Sequence, residues 1–521
     1  MKNNSSLPNT SIPGYHILVL ILTLLACSSA AYAQKTVFLK QADLLAKGQR
    51  NGESFDKLLG NVIFEQNETT IYCDSAYFFK SKNSIEAFGN VRILEGDSVT
   101  VTGKYLEYDG NTKRAELMQN VVFTKLATAT LYTEHLNYDR IRNYAYYLDG
   151  GRLVDSINVL TSKRGYYNLN NQVASFKRNV HVKNPDYTMT SDSLQYNSRT
   201  KVIYFRTETK VVNNEGESFI YKGGNYNTLS KKSVMIQGVV EGKSYTLVGK
   251  HYDLDNLRKI YKVRDDVAMT YKEENLTIYG QSADHYRLTG IAKVYNRAWL
   301  AKVTDDNDTV FMTADTLVSI HSADPAKKRV LAYHNVKIYK KNMQAVADSV
   351  EYRPSDSTIY MYTDPVLWAQ GNQMTADSIN LIIRNNTIDR IFLNRDAFVI
   401  SQDTILNFNQ IKGRKMVAEF NGSNLNRVLV EGNGESLYFA LNEENTTYIG
   451  MNKIICSNII IRFVEGKAKN LSFYVRPDAQ FIPPHQLKES DKKLKDFSWK
   501  QDLRPSRSEV VKSSIPQNPA P

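Results

Sequence analysis

From residue 91 the chain alternates between apolar and polar positions. Val91 and Ile93 flank Arg92, which predicts a strand with one buried face. Glu95-Gly96-Asp97 reads as a turn. Val99 and Val101 then alternate with Thr100 and Thr102. After Gly103 the apolar positions change parity, to Leu106 and Tyr108, and a parity change at a strand glycine predicts a bulge or bend. Asp109-Gly110-Asn111 carries a hairpin signal, and Ala115, Leu117 and Val121 resume the alternation. The same layout returns around residues 196–199 and 352–356. Each period predicts two or three short antiparallel strands joined by tight turns. Helical periodicity is nearly absent.

The period itself is legible. A small or polar residue, often Asp, stands four positions before a large apolar one: Asp74 before Phe78, Lys104 before Tyr108, Glu134 before Tyr138, Lys163 before Tyr167, Asp192 before Tyr196. The series continues through Lys222, Lys250, Asp284, Asp315, Asp348 and Asp377, at successive spacings of 28 to 34 residues. Between these lies a second element, Asn-Val followed by an alternate apolar residue, as at Asn61, Asn90, Asn120, Asn179 and Asn335. Repetition at this period marks an array of similar supersecondary units.

Composition supports strands. Among 521 residues there are 33 Tyr and only 13 Pro; Tyr favours pleated, half-buried surfaces and Pro interrupts ladders. The net charge of +12 is spread along the chain, compatible with anionic partners but not gathered into a nucleic-acid-binding run. Near the start, residues 17–26 form a ten-residue apolar core followed by Ala31-Tyr32-Ala33. This reads as a secretory signal peptide cleaved between Ala33 and Gln34, too short for a membrane span. Acylation at Cys27, as in a lipoprotein, is the less favoured alternative. Whether Cys73 and Cys456 pair is open on sequence alone.

No chemistry stands out. The eight His are dispersed, and neither a metal-ligand spacing nor a nucleophile or phosphate-loop motif is present. Neither catalytic residues, metal nor cofactor is expected. The recurring Asp residues sit at strand bends, and Lys or Glu replaces them in several copies, so their expected role is structural.

Asn-Val-x-apolar followed by Ala-Asp-Ser near a tyrosine, at this spacing and behind a signal peptide, resembles the OstA-like, or LptA-like, lipopolysaccharide transport family. Gly60-Asn61-Val62, Cys73-Asp74-Ser75-Ala76-Tyr77 and Gly89-Asn90-Val91 carry the resemblance best. It implies an all-β fold: tandem open β-jellyrolls in which two antiparallel sheets face each other and acyl chains lie between them. It further implies a non-enzymatic periplasmic protein associated with the outer membrane. Its partners would be lipopolysaccharide through the lipid A acyl chains, other bridge components or a barrel translocon, and further copies end to end. The expected organisation is a signal peptide over 1–33, jellyroll or repeat regions over 34–190, 191–340 and 341–475, and a disordered Pro-, Lys- and Ser-rich tail over 476–521. The lipid-contact candidates are Val62, Phe64, Val91, Ile93, Val121, Phe123, Val180, Val182, Val336 and Ile338. Without the resemblance, a structural or adhesive surface β-repeat protein lacking lipid cargo fits the same pattern.

Overall fold

The computed structural model describes residues 36–511, apart from 97–98, 126–128, 156, 305–307, 386, 423 and 465–466. The expected leader, with Cys27 and the Ala33/Gln34 cleavage site, lies outside the described residues. The chain divides into two compact units, Met1–Gln172 and Val173–Pro521. That division coincides with neither of the boundaries expected near 190 and 340.

In the first unit, strands Glu53–Gln66, Thr69–Phe79, Ser84–Glu95, Val99–Asp109, Arg114–Lys125 and Ala129–Asp139 follow one another as an antiparallel meander. Each is 11 to 14 residues long. Each period therefore supplies two long strands in place of two or three short ones. The bend foreseen at Gly103 is real, but the ladder resumes beyond it, so it does not end a strand.

The bend has a defined build. Phe88 pairs with Tyr105 and Val91 with Gly103, so Gly89 and Asn90 together oppose Lys104. This is a two-against-one bulge, which bends the bulged strand. Both bulge residues are left-handed, with φ 70° at Gly89 and 42° at Asn90, a region that Gly and Asn enter most readily. A Cβ at Gly89 would press on the Asp74 carboxylate. That carboxylate accepts a hydrogen bond from Asn90 Nδ2 at 2.9 Å. The same bond joins Asn61 to Asp43 and Asn335 to Asp315, each at 2.9 Å. Paired left-handed residues recur at Gln119-Asn120, Arg178-Asn179, Asp265-Asp266, His334-Asn335 and Arg395-Asp396. The two sequence elements of the repeat are thus the two sides of one joint.

Each joint divides its strand into two arms, and both arms turn apolar side chains inward. Ile85 and Ala87 precede the joint and Val91 and Ile93 follow it; Val99 and Val101 are matched by Leu106 and Tyr108. All belong to one buried cluster in the first unit, where each large side chain contributes roughly 1.5–3 kcal/mol through burial. At the hairpin end, Asp109 Oδ1 accepts from the backbone N–H of Asn111 at 2.8 Å and of Thr112 at 3.2 Å, which fixes the expected turn.

The second unit repeats the meander and ends differently from expectation. Residues 476–511 are not a disordered tail. Strand Asp478–Ile482 pairs with Tyr448–Val464, and the chain then crosses the sheet as a strap. Gln410 holds the strap twice, donating to Lys492 O and accepting from Leu494 N, both at 2.8 Å. Gln373 does the same with Ser498 O at 2.8 Å and Lys500 N at 2.7 Å, and Gln344 accepts from Arg504 Nε at 2.7 Å. Gln373 and Gln410 are both cross-strand partners of Ile400, so these amides share a face, while Ala345, Leu367 and Met374 alternate onto the other one. Leu494 buries against Phe398, Ile400, Leu437, Phe439 and Met451, with Phe497 and Trp499 packed beside them. A Pro/Lys/Ser-rich composition conceals such a segment. Its backbone is satisfied by strand glutamines instead of a ladder, and its apolar anchors have no period.

Candidate functional site

The ten lipid-contact candidates all lie inside. Their exposures run from 0 to 6%. Val62, Phe64, Val91, Ile93, Val121 and Phe123 join the cluster of the first unit; Val180, Val182, Val336 and Ile338 are buried in the second. Alternation put all ten on one strand face, and that face is buried. No signal in the sequence distinguished core from lipid-facing positions.

Opposite the joints, the free rims of the two arms meet. Gln66 ends one strand, and three strands later it meets another: Tyr108 OH donates to Gln66 Oε1, and Gln66 Nε2 donates to Gly110 O at 2.9 Å. Next along, Glu95 accepts from Tyr138 OH at 2.5 Å and from Arg140 Nε at 3.3 Å, and Arg140 also donates to Tyr108 OH at 2.9 Å. These partners stand 42 to 45 residues apart, about one and a half periods. Strands that are not neighbours can touch at their tips only if the arms are folded over one another. The rims thus form a seam of polar clasps. Burial, with the Glu95 carboxylate, pushes the Tyr138 hydroxyl well above its usual range, keeping it a donor.

The second unit has its own seam. Lys231 lies 3.4 Å from Asp186. Lys259 and Arg287 hold Glu215 at 2.8 and 2.9 Å, and those hydrogen bonds keep its carboxyl below the usual range. Arg287 Nε also reaches buried Glu217 at 2.7 Å, and Tyr245 OH donates to Glu217 at 2.6 Å. Beside them His285 is buried edge-on to Tyr245, with its Nδ1 unpaired. Burial first, then Arg287 and His321, lowers its pKa to about 4. Farther along, Glu274 is 3.3 Å from Lys328. These clasps were not foreseen. Their chemistry differs from copy to copy, and their spacing does too: Lys231 and Lys259 reach back 45 and 44 residues, but Lys328 reaches back 54 and Arg287 72.

Beyond Glu274 the rims change character. A cavity of about 250 Å³ opens between them, its walls mainly apolar. Leu300, Met312 and Met343 line it from one rim and Ile383, Ile388 and Phe420 from the other. Lys302 and Lys340 stand at its polar margin with Glu274. Lys302 Nζ donates to Glu274 O at 2.9 Å, and Lys340 lies 4.0 Å from Asp308.

Cys73 and Cys456 are both buried free thiols, and burial beside Asp74 pushes Cys73 up to about 12, far from a reactive thiolate. Among the described residues no group of three or more His, Cys, Asp or Glu side chains could hold a metal ion, and no helix is long and apolar enough to cross a membrane.

Comparison with known proteins agrees with the repeat. Residues 34–192 match the family described as OstA-like protein. No curated protein matches the chain. Among solved structures, similarity is found to LptH from Pseudomonas aeruginosa, described as the LptA homologous periplasmic component of the conserved lipopolysaccharide transport device. The two share 13% identity over 22% of this chain and 79% of that one, with a TM-score of 0.20. The match over residues 34–192, on a chain of bent antiparallel strands carrying Asn-Val and Asp joints, makes this segment OstA-like.

Proposed function

We propose that the chain is a non-enzymatic carrier of lipopolysaccharide in the periplasm, serving outer-membrane assembly. The observation that carries this reading is the interior itself. The two arms of the long strands turn apolar residues toward each other over an OstA-like segment, and in the second unit that interior opens into an apolar cavity. Each acyl methylene transferred from water into such surroundings is worth about 0.8 kcal/mol, so a multi-chain lipid gains enough to part the arms. The reading extends to partners: other components of a transport bridge, a barrel translocon, and further copies end to end. The early edge strand Leu44–Arg50 pairs only with Glu53–Gln66 among the described strands, leaving an edge of the kind that accepts another strand.

The test is photo-crosslinking in living cells from residues introduced at Ile93 and Val182. Lipopolysaccharide adducts are expected at both positions. Their absence at both, in cells exporting the protein normally, contradicts the proposal.

A further inference from the structure

The seam of the second unit is uneven. From Asp186 to Glu274 the tips that meet are charged: Lys231 on Asp186, Lys259 and Arg287 on Glu215, Arg287 on Glu217, Lys328 on Glu274. From residue 300 to residue 420 the side chains facing each other across the rims are Leu300, Met312 and Met343 against Ile383, Ile388 and Phe420. Apolar side chains leave no directional bond to break. The clasped stretch also holds a cavity, of about 320 Å³ with Met189, Val211, Phe219 and Leu257 in its walls, but there the paired Lys231 and Asp186, and Lys259 and Glu215, stand in the lining. An apolar cavity with cationic groups at one margin suits one class of occupant, an acyl chain attached to an anionic head. Lys302 and Lys340 supply that margin; Lys328 pairs with Glu274 beside it and Lys340 with Asp308, which leaves three lysines against two carboxylates among the described residues there.

We propose that this stretch is the portal through which an acyl chain of an anionic lipid enters the interior of the second unit, the clasped stretch acting as the closed wall. The proposal rests on the lipid-carrier reading and adds the place of admission. Lipid loads between the rims at residues 300–420 and then spreads toward Val182, where the seam is clasped. An acidic side chain in the cavity wall repels both the acyl chain and the anionic head, because burying an unpaired charge is strongly unfavourable. A bulky apolar one fills the space.

The test uses the full chain purified with a photo-reactive residue at Phe420 or at Val182, mixed with lipopolysaccharide and sampled over time. Adducts are expected at 420 before 182, an order that needs no further variant. Ile383→Glu is expected to slow labelling at 182 by roughly tenfold or more, and Ala369→Trp, which fills the cavity without charge, to do the same; melting curves confirm that each is folded. Labelling at 182 that precedes labelling at 420, or that proceeds undiminished in the folded variants, overturns the portal and leaves the carrier reading standing. No adduct at either position overturns both.

Discussion

The repeats around residues 53–145 and those around residues 300–450 are built on the same bent strands and differ in what covers them. The early repeats close their rims with Gln66, Glu95, Tyr108, Tyr138 and Arg140 and present polar residues such as Thr70, Arg92 and Thr100 outward. The late repeats face each other across an apolar cavity and carry apolar outer positions, Phe398, Ile400 and Phe439, beneath a strap of chain. Both stretches bury an alternating inner face. The difference teaches that the inner face makes the fold, while the rims and outer face are free to vary and set where the interior opens.

The largest expected effect lies in the strap. Leu494→Ala removes its anchor in the cluster around Phe398 and Met451 and should destabilise the second unit by about 2–5 kcal/mol. Hydrogen exchange should rise under the strap, around Ile400 and Leu437, while the strands of 53–145 keep their protection. Equal loosening of both stretches would show that the strap is no local device.

A smaller effect is expected from His285. In an unfolded chain its pKa is near 6.5; in the fold it is lowered to about 4 by burial, Arg287 and His321. Between those values the unfolded chain takes a proton that the fold does not. The stability from neutral His285 is therefore whole above pH 6.5 and is lost as the pH falls toward 4, by at most about 3 kcal/mol. Denaturation at pH 7 and pH 4.5 should show this loss in the native chain and a reduced loss in His285→Phe. An unchanged pH dependence would remove His285 as its source.

The smallest concerns one clasp. Arg140 is only 8% exposed, and Glu95→Ala leaves it and Tyr138 short of a partner, costing about 1–3 kcal/mol. The distinguishing readout is probe access: a photo-reactive residue at Ile93 should label with lipopolysaccharide faster in this variant. If labelling slows while the protein stays folded, the clasp does not restrain the rims.

Much of this architecture was legible in the residues. The alternation identified all ten inward positions, because side-chain parity in a strand is a local property. The parity change at Gly103 located a joint from the strand facing the bulge: Val99, Val101, Leu106 and Tyr108 are all buried although their parity switches, because the strand bends there and both arms face inward. The clasps were not legible, since Gln66 with Tyr108 and Glu95 with Arg140 share no motif and meet only through folding of the arms. The strap left one trace that went unused. Four positions before the repeat's polar residue stand Thr70, Thr100 and Thr130 in early copies, whereas Gln344 and Gln373 stand there in late ones. An outward Gln replacing an outward Thr marks where a strand face binds more chain.

The most direct measurement compares neighbouring positions on one arm. Photo-reactive residues at Val91, Arg92 and Ile93 sample the inner face, the outer face and the inner face again. If the space between the arms carries lipid, lipopolysaccharide adducts form at 91 and 93 and are absent or far weaker at 92. Equal labelling at all three, or labelling at 92 alone, would contradict an interior lipid site.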